Sequence, residues 1–166
     1  MSVSKIDYDN LSPLIKANID YINGSDPLPK NTLDAFINIK KAISKSAKEI
    51  VCLIASKNND EDGILDVVGS LLNAKDTACA SIIIGTKLPS NNKEIIFTDE
   101  TKEPLDETCL VIYQAVNKLI REVVAYAQSV PFYYAKLWRS VVMFRMARDV
   151  AINIVKRKSV SRMTEN

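Results

Sequence analysis

The chain has 166 residues, 47% of them hydrophobic and 25% charged, which suits one globular domain with a sizeable core rather than a disordered segment. It contains no histidine, so histidine-based triads, metal sites and proton relays are excluded. The net charge of +2 conceals an asymmetry. Residues 1–104 hold 12 lysines, no arginine and 15 carboxylates, net −3, whereas residues 105–166 hold 10 basic and 5 acidic side chains, net +5.

Residues 1–10 read as a polar arm. They contain no apolar run of the kind that opens a secretory signal, so an intracellular (cytoplasmic) or virion location is expected. A short helix is expected from 13 to 22, capped by Ser12, with Leu14, Ile15, Ile19 and Ile22 facing inward. Gly24, Pro27 and Pro29 then make residues 24–29 a loop.

Asn31 or Thr32 is the expected cap of a long helix to Lys57, with Phe36, Ile39, Ile43, Ala47, Ile50 and Ile54 three or four apart. Lys40, Lys41, Lys45 and Lys48 decorate its flank, which is ordinarily a solvated face.

Residues 58–63 are the most metal-like stretch. Asn58, Asp60, Asp62 and Asp66 fall at calcium-loop spacing around Gly63, with Leu65 at the usual apolar position. The closing bidentate glutamate is replaced by Gly69. The plainer reading is an acidic cap on a helix from 62 to 75, buried through Leu65, Val68, Leu71 and Leu72. No metal or other cofactor is expected.

Residues 77–104 are where strands compete. Runs at 81–84 and 94–98 are β-branched, and Pro89-Ser90-Asn91-Asn92 could turn between them. A small β-hairpin near residues 81–98 and a helical continuation through 78–84 are both consistent with this pattern.

From 105 to 128, Ile112, Val116, Leu119, Ile120, Val123 and Ala127 lie on one helical face, and Asn117, Lys118, Arg121 and Glu122 on the other. Asp106 and Glu107 suit the positive end of that helix. Pro131 interrupts it, with Ser129 the expected cap of a second helix from 132 to 158. Leu137, Val141, Val142, Met143, Phe144, Met146, Ala147, Val150, Ile154 and Val155 cover almost the whole circumference of this second helix. Such a helix lies at the centre of a bundle or touches partners on several sides. Arg139, Arg145, Arg148 and Asp149 exclude it as a membrane span. Residues 159–166 form a second polar arm.

The three cysteines, Cys52, Cys79 and Cys109, are dispersed, which argues against a disulfide framework and for buried thiols in a reducing compartment. No glycine pair forms a phosphate loop or a dinucleotide fingerprint, and carboxylates pair only in polar clusters such as Asp99, Glu100 and Glu103. The chain is therefore expected to be non-enzymatic.

All six arginines lie beyond residue 105. Lys136, Arg139, Arg145, Arg148, Lys156, Arg157, Lys158 and Arg162 are the candidate nucleic-acid contacts, with Tyr133, Tyr134 and Trp138 among them as stacking surfaces for RNA bases. The structural alternatives are an Arg145–Asp149 pair four residues apart, a core role for Trp138, and neutralisation of the helix C-terminus by Lys156, Arg157 and Lys158. Trp138, Val142, Met143, Phe144 and Met146 are the candidate interface. Residues 137–147 faintly resemble the groove-forming segment of Bcl-2-like proteins, which pairs Trp-x-Arg with an apolar helix. They have neither the motif's asparagine nor its glycine, so no family is assigned.

The sequence thus predicts a single all-α domain over residues 1–166, a bundle of about five helices. Its expected role is a self-associating coat- or nucleocapsid-like subunit that meets nucleic acid through the basic helix. The alternative is an intracellular helical regulator that binds a partner protein through an apolar groove or helix face.

Overall fold

Proline and aspartate set the boundaries of the bundle. The computed structural model describes residues 8–16, 19, 28–88, 93–96 and 105–164, the last seven by backbone alone. Its long helices are α1 (Lys30–Ala55), α2 (Glu61–Gly85), α3 (Glu107–Gln128) and α4 (Tyr134–Thr164).

A helical turn at 13–16 precedes them, with Ile15 N–H donating to Ser12 Oγ at 3.3 Å. This is the expected cap, and most of the helix beyond it lies outside the described residues. At α1 the expected cap is corrected. Pro29 (φ −55°, ψ 148°) occupies the cap position and its carbonyl accepts from Leu33 N–H at 2.9 Å, with no side-chain cap. The proline ring fixes the entry geometry, so the helix starts early and Thr32 is buried within its first turn.

Asp60 starts α2 by accepting from Gly63 N–H at 3.1 Å. The helix then runs ten residues past its expected end at Lys75. Residues 78–85 are all buried, so the helical alternative is realised and no strand forms at 81–84. Periodicity cannot separate a strand from a helix that is covered on every side. Residues 93–96 have no regular structure, although Ile95 is buried; 97–98 lie outside the described residues. The inward register of α2 also differs from expectation. Val67, Leu71, Ala74 and Ala78 are buried, while Leu65 and Leu72 face solvent.

Asp106 caps α3 through a 2.8 Å bond from Cys109 N–H, and the six expected apolar positions are all buried. Ser129 does not cap the next helix. It closes α3, its Oγ donating to the Tyr126 carbonyl at 2.6 Å. Residues 130–133 cross over the end of α2, where Tyr133 N–H donates to the Ser81 carbonyl at 2.9 Å. Gly85 makes that crossing fit. A Cβ there would lie 2.5 Å from Phe132 N, Phe132 Cα and Pro131 O.

The helices pack as a four-cornered bundle, with neighbours α1–α2, α2–α4, α4–α3 and α3–α1, the α2–α4 pairing being the most extensive. Short loops make α1–α2 and α3–α4 antiparallel, and α2 and α3, consecutive in the chain, stand at diagonal corners. Contacts at Gly63–Ile154 and Thr77–Met143 make α2 and α4 antiparallel as well. The core holds Ile39, Ile43, Ile50 and Ile54 of α1 with Leu71, Ile112, Leu119, Ile120 and Phe144. α4 is a corner of this bundle, not a central helix, and its backbone stays helical through 159–164, where a separate arm was expected.

Candidate functional site

The eight basic residues singled out from the sequence do not form one surface. Arg148 faces inward, with a side chain only 13% exposed. Its Nη1 donates to Asn117 Oδ1 at 2.8 Å, its Nε lies 3.3 Å from Asp149 Oδ1, and its guanidinium sits 4.3 Å from the centre of the Tyr113 ring. It is a bolt between α3 and α4, which also corrects the expectation that Asn117 faces water. Asp149 pairs with Arg148, and the Arg145 guanidinium lies 5.7 Å from the Trp138 ring centre. Arg157 remains exposed but reaches Asp60 Oδ2 at 3.6 Å, bridging the end of α4 to the start of α2. Lys156 is half-buried, and the side chains of Lys158 and Arg162 lie outside the described residues.

Among the described side chains, two of the eight come together. Lys136 and Arg139 line a cleft of about 380 Å³ whose other walls are Leu14, Ile15, Tyr133 and Ala135. Tyr133 also packs with Leu14, Leu88, Ala80 and Ile84 in a small apolar cluster separate from the main core. Tyr133 and Tyr134 are both half-buried, so neither is a fully presented stacking surface.

The candidate interface residues separate into three groups. Phe144 is completely buried in the core, so its assignment to an interface is corrected. An interval of six from Trp138 turns it onto the inner side of the helix, which the all-round apolar pattern conceals. Trp138 and Met143 are half-buried against the core, Met143 with its sulfur 3.4 Å from Thr77 Oγ1 on α2. Val142 and Met146 face outward, Met146 with 62% of its surface exposed, and Val150 continues the row one turn later. Spacing of four puts all three on one stripe, with Arg139 and Arg157 on the same side of α4.

Alongside this stripe lies the outer side of α2, where Leu65 and Leu72, which sequence reasoning assigned to the core, face solvent. Asp62, Leu65, Asp66, Gly69, Leu72, Asn73 and Asp76 are all exposed there. Around Gly69 there is open space, with nothing within 4 Å of the position a Cβ would take. The calcium-loop reading is not realised at the start of this helix. Residues 61–69 are helical, Asp60 caps them, and Ile154 packs against Gly63. Among the described residues, no three metal-ligating side chains gather. α2 is also the one described helix long and apolar enough to cross a membrane, with half of its most apolar window buried inside the bundle.

The perturbed acidities lie away from this face. Burial pushes the Cys79 thiol up to about 12. Burial, followed by the hydrogen bond with Asp106, pushes Cys109 to about 11. The backbone N–H of Cys109 holds the Asp106 carboxyl below its ordinary value. Two of these groups are inert thiols and one is a helix cap, so none is poised for acid–base or nucleophilic chemistry. No protein-family model matches the sequence, and neither a curated protein nor a solved structure matches it.

Proposed function

We propose that the protein is a non-catalytic assembly subunit that associates with further copies of itself through the outer face of α4, with Lys136 and Arg139 as contacts to a polyanion such as RNA. The observation that carries this reading is the Val142–Met146–Val150 stripe. Three large apolar side chains lie in a row on the outside of a helix whose inner side already fills the core. A contiguous exposed apolar row rimmed by arginine is characteristic of a protein contact. The nucleic-acid part is narrower than the basic composition suggests, because Arg148 and Arg157 are engaged within the fold.

The cleft favours one second reading. Its walls are largely apolar and two cations flank it, so an amphipathic acidic segment of a partner protein would fit the same place.

Light scattering over a range of protein concentrations, with and without single-stranded RNA at low and moderate salt, tests the proposal. Mass should rise with concentration in the wild type and stay monomeric in Met146→Glu, whose melting temperature should be unchanged at dilution. RNA should add a salt-sensitive mass increase that Arg139→Glu and Lys136→Glu weaken. A wild-type monomer indifferent to RNA overturns the reading and directs attention to protein partners of the cleft.

A further inference from the structure

The cleft at the start of α4 shares Leu14 and Tyr133 with the small apolar cluster that stands apart from the main core. This part of the molecule is held in place from two directions. Tyr133 N–H donates to the Ser81 carbonyl at 2.9 Å, and Tyr133 packs with Ala80, Ile84 and Leu88. The helical turn at 13–16, started by the Ser12 cap, supplies Leu14 and the exposed Ile15.

Lys136 and Arg139 complete the cleft. A spacing of three on a helix brings them to one side, with about 5–6 Å between Cβ atoms, so both reach a single head group. Among the described residues neither side chain forms an ion pair, in contrast to Arg148 and Arg157. The first turn of α4 holds no acidic residue. The positive end of the helix therefore adds to these two like charges instead of offsetting them, and a bound anion relieves all three.

The other walls decide what the anion is attached to. Leu14, Ile15 and Ala135 have no side-chain donor or acceptor, so a polar ligand group lying on them is left unmatched. This disfavours a nucleoside, with its sugar hydroxyls and base edges, and favours an alkyl chain. A volume of about 380 Å³ falls at the small end of ligand pockets, roughly 300–1,000 Å³. That compact outline favours one small molecule over a helical segment, whose anchors recur along several turns.

We propose that this cleft binds a single-headed anionic amphiphile, a medium-chain carboxylate. Its chain lies against Leu14, Ile15 and Tyr133, and its head group lies between Lys136 and Arg139. The site goes beyond the assembly reading and is independent of it, standing whether or not copies associate.

The probe is dodecanoate, added to the full chain at neutral pH below its micelle-forming concentration and followed by calorimetry. One molecule should bind per chain, about tenfold or more tighter than dodecanol, because the neutral alcohol forgoes the charge-assisted contacts. Affinity should rise about threefold per methylene from octanoate to dodecanoate as more chain is buried. Replacing both cations, Lys136→Gln with Arg139→Gln, should remove the preference for dodecanoate over dodecanol. Ala135→Trp should block both ligands, and its melting temperature should be unchanged because position 135 is exposed. No saturable binding of dodecanoate up to about millimolar concentration overturns the proposal. Binding that the paired cation variant leaves unchanged also overturns it, by marking a nonspecific apolar contact. Binding to phosphatidylglycerol vesicles without binding of free dodecanoate assigns the cations to a membrane surface and overturns it as well. An RNA complex that Arg139→Gln weakens, with no dodecanoate binding, supports the polyanion contact proposed above and overturns this inference alone.

Discussion

Arg148 and Asn117 are joined across α3 and α4 by a 2.8 Å hydrogen bond, at a point where Asn117 is 97% shielded from solvent and the guanidinium lies over Tyr113. A hydrogen bond to a charged donor contributes about 1.5–3 kcal/mol, and removing one partner leaves the other desolvated and unmatched. Arg148→Ala and Asn117→Ala should therefore each cost about 2 kcal/mol in urea unfolding. The double variant should cost clearly less than the two together, the signature of directly coupled residues. Strictly additive losses would show that the pair does not act as a unit. If RNA binding is found, replacing Arg148 should leave its salt dependence unchanged, since an inward arginine releases no counterions.

Gly85 ties α2 to the α3–α4 junction. A Cβ at this position would meet backbone atoms of Pro131 and Phe132 at 2.5 Å, and backbone yields far less readily than a side-chain tip. Although alanine favours a helix over glycine, Gly85→Ala should destabilise by about 1–3 kcal/mol through overpacking. For a chain of this length, that lowers the melting temperature by roughly 3–10 °C. Gly69→Ala is the control. Its methyl enters open space, so at dilution it should stabilise by about 0.5–1 kcal/mol. Equal responses at the two glycines would contradict the crossing geometry.

Much of the fold was legible because local signals agreed. The positions from Ile112 to Ala127 repeat every three or four residues and Asp106 precedes them, so α3 followed from the sequence almost residue by residue. α2 and α4 were harder for a shared physical reason. Leu65 and Leu72 fit a helical stripe as well as Val67, Leu71 and Ala74 do, and sequence alone cannot say which stripe meets the neighbouring helices. The same ambiguity placed Phe144 at an interface and Arg148 on a polyanion surface. The inward turn of Arg148 depends on Asn117 and Tyr113, 31 and 35 positions earlier, and no local pattern encodes that meeting. Gly69, a helix-weakening residue amid apolar ones, was the sequence signal available for the solvent-facing side of α2.

The cysteines should divide by accessibility. Cys52 is exposed on α1, while Cys79 and Cys109 are buried with thiol pKa values raised to about 12 and about 11. The thiolate is the nucleophile, so at pH 8 the two buried thiols are shielded both sterically and by protonation. Titration of the native protein with a disulfide reagent should modify one thiol promptly, with two more appearing only in denaturant. Prompt modification of all three would contradict the packing of α2 and α3.

Asp106 gives the bundle a defined response to acid. Its carboxylate accepts the Cys109 N–H at 2.8 Å and sits at the positive end of α3, so its pKa in the folded state lies below the unfolded value of about 3.9. A lowered folded pKa means the charged form stabilises the native state. That contribution is complete above the unfolded pKa and disappears as pH falls through the folded one. Asp106→Ala should cost about 1 kcal/mol at pH 7, the usual loss for a helix cap. The difference in unfolding free energy between wild type and variant should be flat from pH 7 to about 5 and shrink below about 4 as the native carboxylate takes up its proton. Measuring urea midpoints for both proteins from pH 7 to 3 decides the matter. A gap independent of pH would show that the Asp106 charge contributes nothing to holding the start of α3.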